Sequence, residues 1–341
     1  MKDANLIPLY SPGYIFNRTE MKLEAELMIA AIRLDIFSCL TEPVTVETLA
    51  ARTGYHCRNL ELLLNALTAA GFLVKEKDCF CNLPETEYYL NRKSELYLGE
   101  NILYWHKITN LQNIEELVRK GPTHKSFRDE NGSDSYDFRM MAQVAVNAMY
   151  TGRVQAFIAA MKPLFPQDRS LKILDIGGGS GIFSVELARY FAKAKITVFD
   201  QPSVTELTGE IIGEYGVEDR VETKDGNFIT DDLGGGYDLL IASGILDFVG
   251  DLNVMAMRLY AAMKAGGYLY VSTHNVNETY TGPARYILGW LSSHMDGLDI
   301  LKTDAAIRAA LLKTGLTECI SAPEHEFNGY VFQKIEHENP A

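Results

Sequence analysis

Residues 171–181 read Leu171-Lys172-Ile173-Leu174-Asp175-Ile176-Gly177-Gly178-Gly179-Ser180-Gly181, an apolar run carrying one acid and then a cluster of glycines. Ile182 to Phe191 follows at once with helix-like composition. A strand that ends in glycines and turns directly into a helix is built for close approach of a ligand to the backbone. Glycine has no Cβ, tolerates positive φ, and leaves amide N–H groups exposed at the helix N-terminus. The segment predicts a nucleotide-like cofactor site at the start of an α/β unit.

Outward from this segment, strand and helix alternate. Strands are expected at 172–176, 195–199, 220–224, 237–242 and 266–272, and helices at about 182–192, 203–215 and 252–264 lie between several of them. That alternation means a parallel sheet covered on both faces by helices. Two further strands, at about 317–322 and 328–335 around a Pro323–Phe327 loop, read as an antiparallel hairpin closing one edge. In such a sheet the ligand lies beyond the carboxyl ends of the strands, where the order reverses. Asp200, in Thr197-Val198-Phe199-Asp200-Gln201-Pro202, ends the second strand. An acid there, about twenty residues past the glycines, accepts hydrogen bonds from ribose hydroxyls.

Two details favour S-adenosylmethionine over a dinucleotide. The fingerprint G-x-G-x-x-G needs a third small residue for helix–strand packing; counted from Gly177 that position is Ile182, and counted from Gly179 it is Ser184. Asp175 would also repel a pyrophosphate, whereas it favours a cofactor carrying ammonium and sulfonium charges.

The 341 residues predict two domains and ample core, with 47% hydrophobic and 23% charged residues. A formal net charge of −13 argues against a nucleic-acid partner, which needs clustered Lys and Arg. The N-terminal residues contain no long apolar run, and the strongest apolar stretch, Leu239–Val249, falls short of the roughly 18 residues a bilayer span requires. A cytoplasmic protein without a membrane partner is expected. The five cysteines are odd in number and irregularly spaced. Cys79-Phe80-Cys81 lacks a second pair or nearby histidine, so reduced thiols and no metal site are expected.

Upstream, residues 20–40 show helical periodicity, with Leu23, Leu27, Ala30, Ala31, Leu34 and Phe37 on one face. Thr45 to Gly54 reads as a short helix with Thr45 as N-cap, Thr48 in place of the usual capping-box Glu, and Gly54 as terminator. Arg58–Ala70 is an amphipathic helix closed by Gly71, and Phe72–Leu83 alternates about a Lys77-Asp78 turn as a hairpin does. Three helices and a two-stranded wing form the winged-helix pattern. Its third helix carries Arg58 as its one base, opposed by Glu61. That composition suits packing or dimerisation better than DNA reading. Residues 84–125 read as helical and then loop-like, Phe127–Ser135 as a polar surface excursion, and Tyr136–Met161 as one long helix.

Ile173–Gly181 together with Phe199-Asp200-Gln201-Pro202 resembles the S-adenosylmethionine-dependent small-molecule O-methyltransferases, which include plant caffeate-type and bacterial tailoring enzymes. The resemblance covers nearly the whole chain and its domain order. It implies an α/β fold, with a Rossmann-like class I methyltransferase domain behind a mostly helical, winged-helix-like dimerisation domain. The implied boundaries are 1–100 for dimerisation, 101–165 for a helical linker with substrate-facing helices, and 166–341 for the catalytic domain. It also implies a homodimer that methylates a small, aromatic or conjugated metabolite.

Carried over residue by residue, Gly177, Gly178, Gly179 and Gly181 would line the methionine part, beside Asp175. Asp200 and Gln201 would meet the ribose. The family's Gly-Asp-Met/Phe appears as Gly226-Asn227-Phe228, so Phe228 would flank the adenine and Asn227 would replace an acid at its edge. Ser243 occupies a position the family usually gives to Lys or Arg. Tyr286, Trp290 and His294 fall on the expected substrate-lining helix, and Asn147 and Met149 resemble positions that reach the substrate from the preceding helix.

The match breaks at the base. Where the family has Leu-His-Asp-Trp, this chain reads Ile245-Leu246-Asp247-Phe248, so Asp247 stands in the histidine position. The acid that often orients that base is matched by Thr273, with His274 beside it. Three readings stay open: Asp247 or His274 acts as base; the nucleophile needs none, as in C-, N- or S-methylation; or the fold runs non-methylating chemistry such as decarboxylation, hydroxylation or rearrangement. A ligand-sensing winged-helix regulator is the remaining alternative.

Overall fold

In the computed structural model, which describes residues 7, 9–109, 111–122, 136–297, 301–320 and 329–335, the chain forms two units, Met1–Leu103 and Tyr104–Ala341. The first contains α1 (Gly13–Arg33), β1 (Val44–Thr45), α2 (Val46–Thr53), α3 (Cys57–Ala69), β2 (Leu73–Glu76), β3 (Cys79–Asn82) and α4 (Pro84–Leu90); α5 (Gly99–Ile108) crosses the boundary. Thr45 caps α2 as its sequence predicts, its hydroxyl accepting from the Thr48 amide at 3.3 Å, and Gly54 ends the helix at φ +74°. The β2–β3 hairpin turns at Lys77, and β1 adds a third antiparallel strand on the far side of β3 that the sequence reading did not include. Ile32, Phe37, Leu49, Leu64, Leu67 and Phe80 form the core. The apolar face read along residues 20–40 is buried only near its end. Ile29, Ala31 and Ile32 are covered, while Leu23 is 69% exposed, in line with Tyr14, Ile15, Phe16 and Met21.

The second unit continues with α6 (Ile114–Lys120), α7 (Phe138–Met149) and α8 (Arg153–Met161). The single helix expected over 136–161 is therefore two, broken at Gly152, whose φ of +132° no helix accommodates. The polar run 127–135 and the loop 323–327 lie outside the described residues. Next come β4 (Lys172–Ile176), α9 (Ile182–Tyr190), β5 (Lys195–Asp200), α10 (Pro202–Glu214), β6 (Val221–Asp225), β7 (Tyr237–Ser243), α11 (Leu252–Ala262) and β8 (Met263–Ser272). The unit ends with α12 (Ala284–Gly289), α13 (Leu291–Met295), α14 (Asp304–Lys313), β9 (Leu316–Ile320) and β10 (Tyr330–Lys334). The substrate-lining helix that the resemblance implies around Tyr286–His294 is two short helices, α12 and α13, and α14 has no counterpart in the sequence reading.

The seven strands run in the order β6-β5-β4-β7-β8-β10-β9. The first five are parallel, and β10 joins β8 and β9 antiparallel, so the C-terminal hairpin does close one edge. Alternation places Ile173, Ile196, Leu239 and Ile241 in a core with α8, α9 and α10. Leu174, Ile176, Leu240, Ala242 and Leu269 pack on the other face against α11 and α14. Strands such as β4 and β7, buried on both faces, are apolar at most positions, with Asp175 and Asp238 as their buried acids. The chain order reverses between β4 and β7, which opens a crevice at their carboxyl ends. No described helix is long and apolar enough to cross a membrane.

Candidate active site

At the carboxyl end of β4 the Gly177 amide donates to Phe199 O at 2.8 Å, which holds the start of the glycine loop against β5. Gly177 has φ +61°, and a methyl group there would sit 2.4 Å from Ile245 Cγ2. Gly181 is the N-cap of α9 at φ +73°, where a methyl would meet Thr208 Cγ2 at 2.7 Å. Conformation and space both require glycine at these two positions. Among the described residues no side chain caps α9, and a helix start of this kind suits an acceptor from outside the chain. The Thr208 hydroxyl donates to Gly179 O at 2.6 Å, and Ala142 of α7 lies over Gly179.

Asp200 takes part in the same loop. Its Oδ2 accepts from the Gly179 amide at 3.0 Å and its Oδ1 from the Gln201 amide at 2.8 Å. The Gly226 amide donates to Asp200 O, which brings the end of β6 alongside. Phe228 approaches Gly177 next to Ile245. Asn227 is exposed, and its Oδ1 accepts from the Ile229 amide at 3.0 Å. Asp175 lies beneath the loop against Gly178, only 2% exposed, with the Ser184 hydroxyl donating to its Oδ2 at 2.8 Å. Burial pushes its carboxyl up from 3.8 to about 7; the Ser184 hydrogen bond opposes that rise and the charge of Asp200 adds to it. Any effect of Asp175 on a ligand therefore passes through the loop as charge, without direct contact.

A second cluster forms at the ends of β7 and β8. Ser243 and Ser272, opposite each other in register, share a hydrogen bond of 2.7 Å. Asp247, in the turn Leu246–Phe248, is completely buried, and its Oδ1 lies 3.0 Å from His274 Nδ1. The approach is as close as an ion pair but does not meet hydrogen-bond geometry, and the His274 amide donates to the same Oδ1 at 3.5 Å. Asp247 Oδ2 takes no hydrogen bond among the described residues. The His274 side chain is 15% exposed and edge-on to three rings: Tyr286 at 4.6 Å, Trp290 at 6.0 Å and Phe248 at 6.1 Å between centroids. Trp290 in turn meets Trp105, Tyr136 and Phe248 edge-to-face at 5.6–5.8 Å, and the Tyr136 hydroxyl bonds Ser293.

Of the residues singled out in the sequence, Asp247, His274, Tyr286 and Trp290 come together here. His294 sits one turn beyond Trp290, its amide donating to Trp290 O at 2.9 Å. Asn147 and Met149 share α7, but Met149 packs into the core beneath α8–α10 and not among the aromatic rings. Phe248, Trp105 and Tyr136 were missed. One signal was available: Trp105 and Trp290 are the only two tryptophans in the sequence, and they touch.

These features meet in the comparisons with known proteins. A methyltransferase-domain family model matches residues 148–318, half of the chain, and an O-methyltransferase dimerisation domain matches residues 21–100. The chain belongs to the S-adenosylmethionine-dependent methyltransferases, and S-adenosylmethionine is its cofactor. It is 26% identical to the tetracenomycin polyketide synthesis 8-O-methyl transferase TcmO of Streptomyces glaucescens, over 82% of this chain and 84% of that protein. It is 30% identical to the L-tyrosine C(3)-methyltransferase of Streptomyces lavendulae, over 74% of this chain and 72% of that protein. In fold it is similar to human N-acetylserotonin methyltransferase solved with S-adenosylmethionine. That match has a TM-score of 0.74 at 19% identity and covers 97% of this chain and all of that one.

Proposed function

We propose that this protein methylates a small aromatic acceptor at or beside a phenolic hydroxyl, with His274 as the base and Asp247 as its orienting acid. The observation that carries this reading is the contact between a fully buried carboxylate and a partly exposed imidazole walled by aromatic rings. Asp247, at zero exposure, cannot reach a substrate. Facing Nδ1, it favours the tautomer with hydrogen on that nitrogen and leaves Nε2 to take a proton from a substrate hydroxyl. Relative to the family pattern, the acid stands at the histidine position and the histidine stands one residue past the position of the acid. Tyr286, Trp290 and Phe248 offer ring edges to a flat acceptor, with His294 nearby on α13, and Asn147 would approach from α7.

The residues around the glycine loop fit the cofactor. An uncapped helix start suits a carboxylate, Asp200 with Gln201 suits a ribose diol, Phe228 with the Nδ2 of Asn227 suits a purine, and Ser243 lies at the crevice mouth. When bound, S-adenosylmethionine supplies an electrophilic methyl group. The chain supplies orientation, exclusion of water and the base. Both relatives support a phenolic acceptor. One is named for methylation at oxygen and the other for methylation of tyrosine at a ring carbon, and removing a phenol's proton also makes its ortho carbon nucleophilic.

The dimerisation-domain match supports a homodimer whose N-terminal unit is winged-helix-like, and the net charge of −13 speaks against a nucleic-acid partner; a cytoplasmic location without a membrane partner belongs to the same reading. The test is incubation with methyl-labelled cofactor and a panel of phenols and hydroxynaphthoates, read by mass spectrometry. A product heavier by one labelled methyl, formed with S-adenosylhomocysteine and absent with His274→Ala, is expected. Turnover of the same acceptor by the His274→Ala protein at the native rate overturns the assignment of the base.

A further inference from the structure

Beyond β8 the sheet no longer holds the chain: Ser272 is the last residue paired to β7, and His274 lies two positions past it. The residues on both sides of His274 are instead tied to one residue of another element. The Thr273 hydroxyl donates to Asp304 Oδ1 at 3.1 Å and accepts from the Asn275 amide at 3.0 Å. Asn275 itself turns the chain through φ +53°. The Asp304 amide donates to Val276 O at 2.9 Å, and Val276 is completely buried.

Asp304 is held in its turn. It is the first residue of α14, which Thr303 caps through the Ala306 amide, and its Oδ2 accepts from the Tyr330 hydroxyl at 2.6 Å. Tyr330 stands in β10 in register with Val271 of β8, and Arg308 lies over its ring at 5.0 Å. One carboxylate thus joins the end of β8, the start of α14 and strand β10, with a hydroxyl donor on each oxygen.

We propose that Asp304 is a positioning residue. By gripping Thr273 and Val276 it sets the imidazole of His274 against Asp247 and fixes which ring nitrogen faces the acceptor. This deepens the reading of His274 as the base and rests on it. The groups facing the imidazole are Asp247 behind it and Tyr286, Trp290 and Phe248 around its edge. Asp247 also holds the strand extension at one point, its Oδ1 accepting from the His274 amide at 3.5 Å, and the tether to Asp304 fixes the residues on either side. Asp304 touches neither reacting atom; the effect of its carboxylate passes through the hydrogen bond from Thr273, while its backbone amide keeps the bond to Val276 O in any variant.

The test compares Asp304→Ala and Asp304→Asn in the full chain. Asparagine keeps an acceptor for Thr273 and offers its amide N–H to the Tyr330 oxygen, whereas alanine removes both contacts. The first readout needs no acceptor: the ¹⁵N spectrum of histidine-labelled protein with S-adenosylhomocysteine, the His274 signals being those missing from His274→Ala. The native protein is expected to show the Nδ1–H tautomer. Asp304→Ala is expected to shift toward the Nε2–H tautomer that an unsupported imidazole prefers, as Asp247→Asn does, and Asp304→Asn to keep the native pattern.

In methyl transfer to the best phenol of the panel, Asp304→Ala should lower kcat about 10- to 100-fold, the loss that a misplacement near 1 Å brings. The KM for S-adenosylmethionine should stay within about twofold, since the cofactor end is untouched. An Asp304→Ala protein with the native tautomer overturns the proposal. So does one whose cofactor binding falls in step with its rate and which Asp304→Asn does not rescue, because that is a merely structural loss. Failure of the underlying reading looks different: His274→Ala would keep its methyl transfer while the tautomer change in Asp304→Ala still occurred.

Discussion

The two ends of the active crevice are held by different means. At β4 and β5 the fixing groups are mostly backbone, glycine conformations and the uncapped start of α9, with one side chain, Asp200, bonded to the Gly179 amide. At β7 and β8 they are side chains from distant segments, with Asp247 against His274 and Thr273 against Asp304. A backbone cradle leaves little choice of residue, since a methyl at Gly177 already meets Ile245. A side-chain pair can be rebuilt from the opposite direction, as in the proposed pairing of Asp247 with His274. On the proposed reading, the cofactor end tolerates few substitutions and the acceptor end tolerates more.

The sharpest way to break that contrast is His274→Ala. Loss of a positioned base should lower kcat by about 10²–10⁴-fold and leave cofactor affinity, measured by calorimetry, within about twofold. A matching collapse of cofactor binding would mean that the two ends are not separable.

Next in size is Asp175→Asn, which tests the charge beneath the cradle. The native Asp175 carboxyl titrates near 7 against 3.8 unfolded, so the folded state holds its proton more tightly. The resulting stability is fully present below pH 3.8 and is lost as pH rises to about 7. Without cofactor, the Tm of the native protein should fall across that window by the equivalent of a few kcal/mol, while Asp175→Asn shows a flatter profile and is the more stable of the two at pH 8. Equal slopes for the two proteins would remove Asp175 from the account.

Gly177→Ala should weaken cofactor binding about tenfold and lower Tm, because the left-handed conformation alone costs an alanine about 1–2 kcal/mol. Acceptor KM should hardly move. Smallest of all is Tyr270→Phe, on the central sheet away from both ends. The Tyr270 hydroxyl is buried with no hydrogen-bond partner among the described residues. Its removal should leave Tm unchanged or slightly raised in a thermal scan, and a clear fall would point to an ordered water on that hydroxyl.

Much of the fold could be read from local pattern. The strand predicted at 172–176 is β4 to the residue, Thr45 caps its helix, and the C-terminal hairpin sits at the edge. Each of these depends on residues within a turn or two. Gly152 was readable as a breaker but lay within an apolar period that overrode it. The segments 284–295 and 304–313 carry short or weakly patterned helices whose partners are far along the chain.

The candidate site divides the same way. The glycines and Asp200 were legible because spacing from one strand end sets them. Phe248, Trp105 and Tyr136 around Trp290, and Asp304 behind Thr273, were not. Trp105 and Trp290 stand 185 positions apart, and only the sheet topology brings such residues to one place. Asp247 was readable as a departure. The role that its burial gives it was not.

The first half of α1 carries Tyr14, Ile15, Phe16, Met21 and Leu23 into solvent within a single chain. A helix that buries only its last turns against its own unit takes the rest of its stability from whatever covers it. With a second copy as the cover, dilution acts on this protein as a denaturant. The melting temperature of the N-terminal unit then rises with the logarithm of protein concentration, and any quoted stability is incomplete without the concentration at which it was measured.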